Sequence, residues 1–269
     1  MGLVETAGLG AAVSLVFFAA VWAISVRVKN YGFLDVAFSY GLLVLLPVYW
    51  AVGGAPWERK ALFGVAGILW SARLGTYILR RVVRHHPVED VRYEKLRASW
   101  PGPWRFLVFF EIQALLVVVF SLPFLFSAFN LEARLGPVEL AGVALAFFAL
   151  GGEALADAQM ARFKADPANR GKVCEAGLWR YSRHPNYFFE SLVWWGFFLG
   201  ALGSAHGGWT VVCPLLMTHF LCRVTGIPLT EEYALRSKGD AYRRYQRTTS
   251  AFVPWFRKED TPESKVHEP

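Results

Sequence analysis

The run Gly177-Leu-Trp-Arg-Tyr-Ser-Arg-His-Pro-Asn-Tyr-Phe-Phe-Glu190 leads directly into an apolar segment, residues 191–202. It crowds Arg180, Tyr181, Arg183, His184, Asn186, Tyr187 and Glu190 into the mouth of that segment. A basic flank with interfacial aromatics accounts for Arg180 and Arg183. It does not account for Asn186 and Glu190, which fall where a span begins. Polar and ionisable groups inside a membrane are costly and mark binding or transport sites. The stretch therefore reads as a binding site at the entrance to a membrane span, and the fold class follows from how often such spans recur.

They recur along the whole chain of 269 residues. It is 55% hydrophobic and 18% charged, against about 45–50% and 25% in soluble domains. A span needs about 20 mostly apolar residues. On that length about seven helices are expected, near residues 7–28, 32–53, 61–80, 105–128, 137–160, 186–205 and 207–224. The expected fold is an all-α, polytopic membrane bundle. It is read as a single domain over residues 1–256, with a polar, disordered tail over 257–269. The net charge of +7 lies mostly between apolar runs, so it reads as an orientation signal and not as a nucleic-acid surface. Basic loops after the third, fifth and seventh runs place the C-terminus in the cytoplasm and the N-terminus outside. Arg59 and Lys60, in a loop assigned to the outside, run against that pattern.

Several features carry no chemistry on this reading. Cys174, Cys213 and Cys222 give neither a metal spacing nor an even disulfide set. His85-His86 stands in a basic loop without neighbouring ligands, so no metal is expected. Gly8-x-Gly10 lacks a preceding strand and a third glycine, which a dinucleotide fingerprint needs. No cleavable signal is expected, since no basic region precedes the first apolar run.

The polar residues that remain fall inside or beside the spans. Asp35 opens the second run, with Tyr40 a few residues on. It suits either the helix dipole or catalysis. Trp70, Arg73 and Tyr77 share one helical spacing in the third run. Arg73 serves either as a snorkelling anchor or as an inward partner for Asp35 or a phosphate. Glu153 and Asp157 stand four apart and line one helix face, which continues through Arg162 and Lys164 towards the cytoplasm. Arg170 and Lys172, in the loop that follows, suit a phosphate or act as orientation charges. A basic, aromatic pocket above carboxylates favours an anionic cofactor rich in phosphate, because arginine binds phosphate bidentately.

Arg183-His-Pro-Asn-Tyr187 followed by Glu190 resembles the C-terminal signature of the membrane steroid 5α-reductase family, and residues 177–187 are similar to its bacterial branch. Glu89, Asp90, Arg92 and Tyr93 resemble a second block. The segment through Tyr242, Tyr245 and Trp255 resembles the closing block. The resemblance implies a seven-helix bundle with NADPH on its cytoplasmic side. It maps cofactor ligands onto Asp157, Asn186 and Glu190, with Glu153, Lys164, Arg180 and Tyr187 beside them. Tyr181, Arg183, His184 and Tyr245 join the cofactor set from the same blocks. The family polarises a steroid 3-keto group with a Gln-Glu pair and a Tyr. The nearest matches here are Asp35 and Trp70, neither identical, with Tyr40 and Arg73 as supporting candidates. The implied reaction is hydride transfer from NADPH to the 4-ene bond of a 3-oxo steroid taken from the bilayer. The expected setting is a monomer among membrane lipids of a bacterial inner membrane, with no nucleic-acid partner. A shorter Arg-His-Pro-x-Tyr also resembles isoprenylcysteine carboxyl methyltransferases, which makes S-adenosylmethionine-dependent methyl transfer to an isoprenylcysteine or lipid the alternative. A non-catalytic lipid-binding protein on the same scaffold is a third.

Overall fold

A computed structural model describes residues 1–100 and 102–260. Among them all regular structure is helical, apart from one bridge between Ser182 and Ser250. The helices are α1 (Leu3–Val28), α2 (Phe33–Val52), α3 (Trp57–His85), α4 (Val91–Ser99), α5 (Pro103–Ala128), α6 (Pro137–Ala165), α7 (Pro185–Ala201), α8 (Val212–His219), α9 (Ile227–Lys238) and α10 (Asp240–Thr248). Among the described residues six helical stretches are long and apolar enough to cross a membrane: α1, α2, α3, α5, α6 and the stretch Gly207–Lys238, which contains α8 and α9. The chain is a polytopic membrane protein. The sixth expected span, residues 186–205, is α7, which has 17 residues, short of the roughly 20 that cross a hydrocarbon core unaided. The expected 61–80 helix is longer than the apolar run alone, because its helical backbone continues through Arg80, Arg81 and Arg84.

The chain divides into two compact units, and the division falls within α6, α7 and α8. The first unit holds residues 1–144 and 196–213. Its helices meet through small side chains and single hydrogen bonds, as bilayer helices do where no hydrophobic force drives them together. Ser14 donates from α1 to the Ala114 carbonyl of α5 (2.9 Å), and the Tyr49 and Ser121 hydroxyls join α2 to α5 (2.7 Å). Ser71 donates from α3 to the Ser39 carbonyl of α2 (2.6 Å). Gly142 on α6 admits α7 so closely that a Cβ there would lie 2.3 Å from the Gly200 nitrogen and 2.7 Å from the Gly196 oxygen.

Arg59 and Lys60 have local explanations. Arg59 is 1% exposed. Its Nε donates to Glu139 at 2.5 Å, and its remaining donors reach the Asn130, Glu132 and Arg134 carbonyls and the second Glu139 oxygen. Lys60 Nζ caps the end of α2 at the Trp50 and Gly53 carbonyls (3.2 and 3.1 Å). A buried guanidinium that spends its donors this way clamps α3, the α5–α6 loop and α6.

The second unit holds residues 145–195 and 214–269. A π-helical turn, Phe220–Val224, follows α8. The chain then breaks at Thr225-Gly226 into α9 and α10. The expected disorder of the tail does not extend to its first residues. Lys258 N donates to the Thr248 carbonyl (2.8 Å), Arg247 pairs with Asp260 (3.1 Å) and Arg257 pairs with Glu175. Residues 261–269 of the tail lie outside the described residues.

Candidate functional site

In the first unit, polar chemistry gathers where the α1–α2 turn, the end of α3 and α4 meet. Asp90 caps α4 by accepting the Arg92 amide (3.0 Å), and a second bond from the Arg92 Nε (3.0 Å) completes the turn. That places Arg92 and Tyr93 over Asp35. Arg92 donates to one Asp35 oxygen at 2.8 Å and the Tyr93 hydroxyl to the other at 2.7 Å, with Arg81 3.8 Å away. Burial pushes the Tyr93 phenol well above its ordinary range, and the Asp35 charge adds to this. Burial also opposes the Asp90 charge, but the bonds from Arg92 outweigh it and hold the carboxyl below its usual range. Beside this network Arg97 grips Glu89 at 2.9 Å and lies over the Tyr31 ring, which stacks on Phe106.

Arg92, Tyr93 and Arg81 each present a donor to the Asp35 carboxylate. Tyr40 does not share that network: its hydroxyl bonds Thr76 (3.0 Å) and its ring covers Gly75. Arg92 and Tyr93, which sequence reading did not pair with Asp35, both bind it. Trp70, Arg73 and Tyr77 do not act as one inward face, since Trp70 is 2% and Tyr77 59% exposed. Arg73 itself is half-buried.

In the second unit the signature run docks on α6. The Trp179 indole donates to the Ala156 carbonyl (3.0 Å), and the Gln159 side chain accepts the Leu178 amide (2.8 Å). Gly177 makes the approach at φ +60°, with Gln159 so near that a Cβ would lie 2.5 Å from its oxygen. Held there, the run turns at Pro185 into α7 and brings Asn186 to Asp157, Nδ2 to Oδ1 3.4 Å. The Asn186 Oδ1 is buried without a hydrogen-bond partner. Glu153 and Glu190 are 4% and 6% exposed, and the Trp194 indole donates to Glu190 at 3.1 Å. The α6 face and the start of α7 thus bring Glu153, Asp157, Asn186 and Glu190 into one polar group among apolar helices.

The rest of the expected cofactor set divides. Arg183 and His184 are turned inward. Arg183 Nε lies 2.6 Å from Glu231 Oε1, and its Nη1 donates to the Gln246 and Thr249 carbonyls (2.9 and 2.6 Å). His184 Nε2 lies 3.2 Å from the same Glu231 oxygen, and the tautomer protonated there donates to it. Tyr245 is 2% exposed, and its hydroxyl lies on the Trp179 and Ser182 carbonyls, where burial pushes its pKa upward. These three tie α9 and α10 to the signature run. Arg180 and Tyr181 are exposed. Tyr187 stacks on His184, with its hydroxyl 3.1 Å from Thr230. Lys164 lies with Arg170, Lys172 and Lys238, apart from the carboxylate group. Among the described residues no three His, Cys, Asp or Glu side chains are placed to hold a metal ion.

A family model described as "Protein of unknown function (DUF1295)" matches residues 21–249. The chain belongs to the DUF1295 family. The match covers both the Asp35–Arg92–Tyr93 network and the Glu153–Glu190 group. The chain is also similar to an uncharacterized protein, C594.04c, of Schizosaccharomyces pombe, with 27% identity over 91% of this chain and 79% of the relative. No solved structure matches the chain.

Sequence reading missed Glu231 as the partner of Arg183 and His184, and Gln159 as the seat of Gly177. A guanidinium as poorly hydrated as that of Arg183 requires a carboxylate. Glu231 and Glu232 are adjacent, however, and only the helix register of α9 chooses between them.

Proposed function

We propose that the chain is an NADPH-dependent membrane reductase acting on the 4-ene bond of a 3-oxo steroid. The observation that carries this reading is the polar group Glu153, Asp157, Asn186 and Glu190 on α6 and α7, with Glu153 and Glu190 buried and Asp157 and Asn186 half-buried. Carboxylates in spanning helices are expensive and persist where they hold something. The steroid 5α-reductase-like character of the DUF1295 family supports the same reading. The donor set fits a nicotinamide carboxamide, which both donates and accepts hydrogen bonds. Asn186 Oδ1 is a buried acceptor without a partner, and Glu190 adds an acceptor beside it. Asp157 orients the Asn186 amide.

NADPH, when bound, supplies a hydride for the alkene carbon beta to the ketone, and a proton from water completes reduction at the alpha carbon. The chain's residues bind and orient. Arg183, His184 and Glu231 fix the turn that carries Asn186, and so act by positioning it. Exposed Arg162 and Arg180 are two cations of this unit available for cofactor phosphates.

The test is NADPH oxidation by purified protein with 4-ene-3-oxo steroids. Glu190→Gln and Asn186→Ala should each lower turnover about tenfold or more, the scale of losing a buried hydrogen bond to a charged group. Unchanged kinetics in both would overturn the assignment. One observation favours the alternative. Arg183 and His184 are committed to Glu231, so fewer cations await phosphate, and S-adenosylmethionine carries no phosphate. Methyl transfer to an isoprenylcysteine or lipid, without nicotinamide oxidation, would establish that reading instead.

A further inference from the structure

Where α6 ends, the chain folds back over its last turn. Asp166 caps a short 3-10 turn through the Ala168 amide (2.9 Å), and the Asn169 side chain donates to the Phe163 carbonyl (3.1 Å). Gly171, at φ +78°, then swings the chain away. The result is a cavity of about 470 Å³, lined by Met160, Phe163, Lys164, Arg170, Lys172 and Lys238 among others. Its lining combines apolar Met160 and Phe163 with four cations. Among the described residues none of the four is ion-paired. Asp166, the one carboxylate in the lining, spends an oxygen on its own turn. Lys164 and Lys238 lie near enough to feel each other's charge.

Four uncompensated cations around one hollow, two of them mutually repelling, call for an anion. The depth indicates which kind. α6 is a membrane-spanning helix ending at Ala165, so the hollow sits at the last turn of a span, where headgroups lie. Met160 and Phe163 offer apolar contact below the charges, as a glycerol backbone and the first acyl carbons require. Basic pockets at such ends hold anionic headgroups. We propose that this cavity is a binding site for an anionic phospholipid, with the phosphate on Lys164, Arg170, Lys172 and Lys238 and the upper acyl region against Met160 and Phe163. The assignment is independent of the reductase reading, which rests on Glu153, Asp157, Asn186 and Glu190.

The experiment uses the full chain, purified in detergent and titrated with phosphatidylglycerol or phosphatidylcholine. Retained lipid is read by native mass spectrometry and stabilisation by thermal melting. Phosphatidylglycerol should bind at least tenfold tighter. Lys164→Gln/Lys238→Gln should abolish that preference. Lys95→Gln/Lys258→Gln, which removes the same charge elsewhere, should keep it. A parallel titration with adenosine 2′,5′-bisphosphate separates the other source of phosphate. If that nucleotide binds in a Lys164- and Lys238-dependent way while phosphatidylglycerol shows no preference, the lipid assignment is overturned. Equal lipid preference in both double variants overturns it as well. Melting without lipid confirms that the variants fold, since Lys164 is exposed and Lys238 half-buried.

Discussion

Asp90 shows how one side chain places others. Its carboxylate caps α4 and clasps Arg92, and Arg92 in turn reaches Asp35. The Asp90 pKa is held below its unfolded value, so its stabilising effect is complete above the unfolded carboxylate pKa, about 3.9. It is lost as pH falls through the lower folded value. Asp90→Ala should therefore lower the melting temperature at pH 7, with the usual N-cap cost of about 1 kcal/mol. The gap from the wild-type chain should close as the pH is taken below about 4. Thermal melts of both proteins across that range check this, and a gap that persists in acid would mean that the carboxylate charge is not what acts. Tyr245 gives a second case. Its buried hydroxyl has only backbone carbonyls for partners, so Tyr245→Phe leaves two carbonyls short of a donor. A loss of about 1–3 kcal/mol is expected, with the affinity for NADPH, the proposed cofactor, unchanged apart from stability. A fall in NADPH affinity at full stability would return Tyr245 to the proposed ligand set.

Among the elements, the α3–α6 clamp makes the sharpest energetic statement. Arg59 and Glu139 are 1% and 3% exposed. Removing one partner of such a pair leaves an uncompensated buried charge, at about 3–5 kcal/mol. Arg59→Met should reach that range in a thermal or denaturant titration. Arg59→Met/Glu139→Leu should recover part of it, but not all, because the Asn130, Glu132 and Arg134 carbonyls then lose their donor. Full recovery would reduce the clamp to its ion pair. The helices themselves were largely legible in the sequence, since apolar runs of span length have few other readings. The ends were not. α3 outlasts its apolar run because helical hydrogen bonds continue where the polar residues Arg80 to His85 meet water. α4 was recognisable as helix-forming, but its tie to Asp35 was not. Nothing local distinguishes Tyr93 from Tyr40 as the nearer phenol until α4 folds back. In the site, Asp157, Asn186 and Glu190 were readable because polar groups in apolar runs are conspicuous. The inward role of Arg183 and His184 was not, because a cation in a basic stretch looks like an orientation charge until its carboxylate is found.

For the molecule as a whole, the same distinction decides topology. Basic residues orient a membrane protein only when they are free to meet the aqueous phase and its translocation machinery. Arg59 is sealed on Glu139 and Lys60 on the end of α2, so neither need be counted as a loop charge. With both set aside, the connection between α2 and α3 no longer argues against an outside location. The 129–136 connection carries one cation, Arg134, whereas Arg92, Lys95, Arg97 and Arg105 crowd the segment after α3. We therefore expect the α3–α5 connection inside and the α5–α6 connection outside. In a chain with Cys174, Cys213 and Cys222 replaced by serine or alanine, a cysteine at Leu131, 72% exposed, should take an impermeant maleimide in spheroplasts and resist it in inverted vesicles. A cysteine at exposed Lys95 should do the reverse. If both label from the same side, an odd number of crossings does not separate them and the span assignment of α5 fails. If both label from the sides opposite to those expected, the spans stand but the orientation is inverted, and the free cations after α3 are not what sets it.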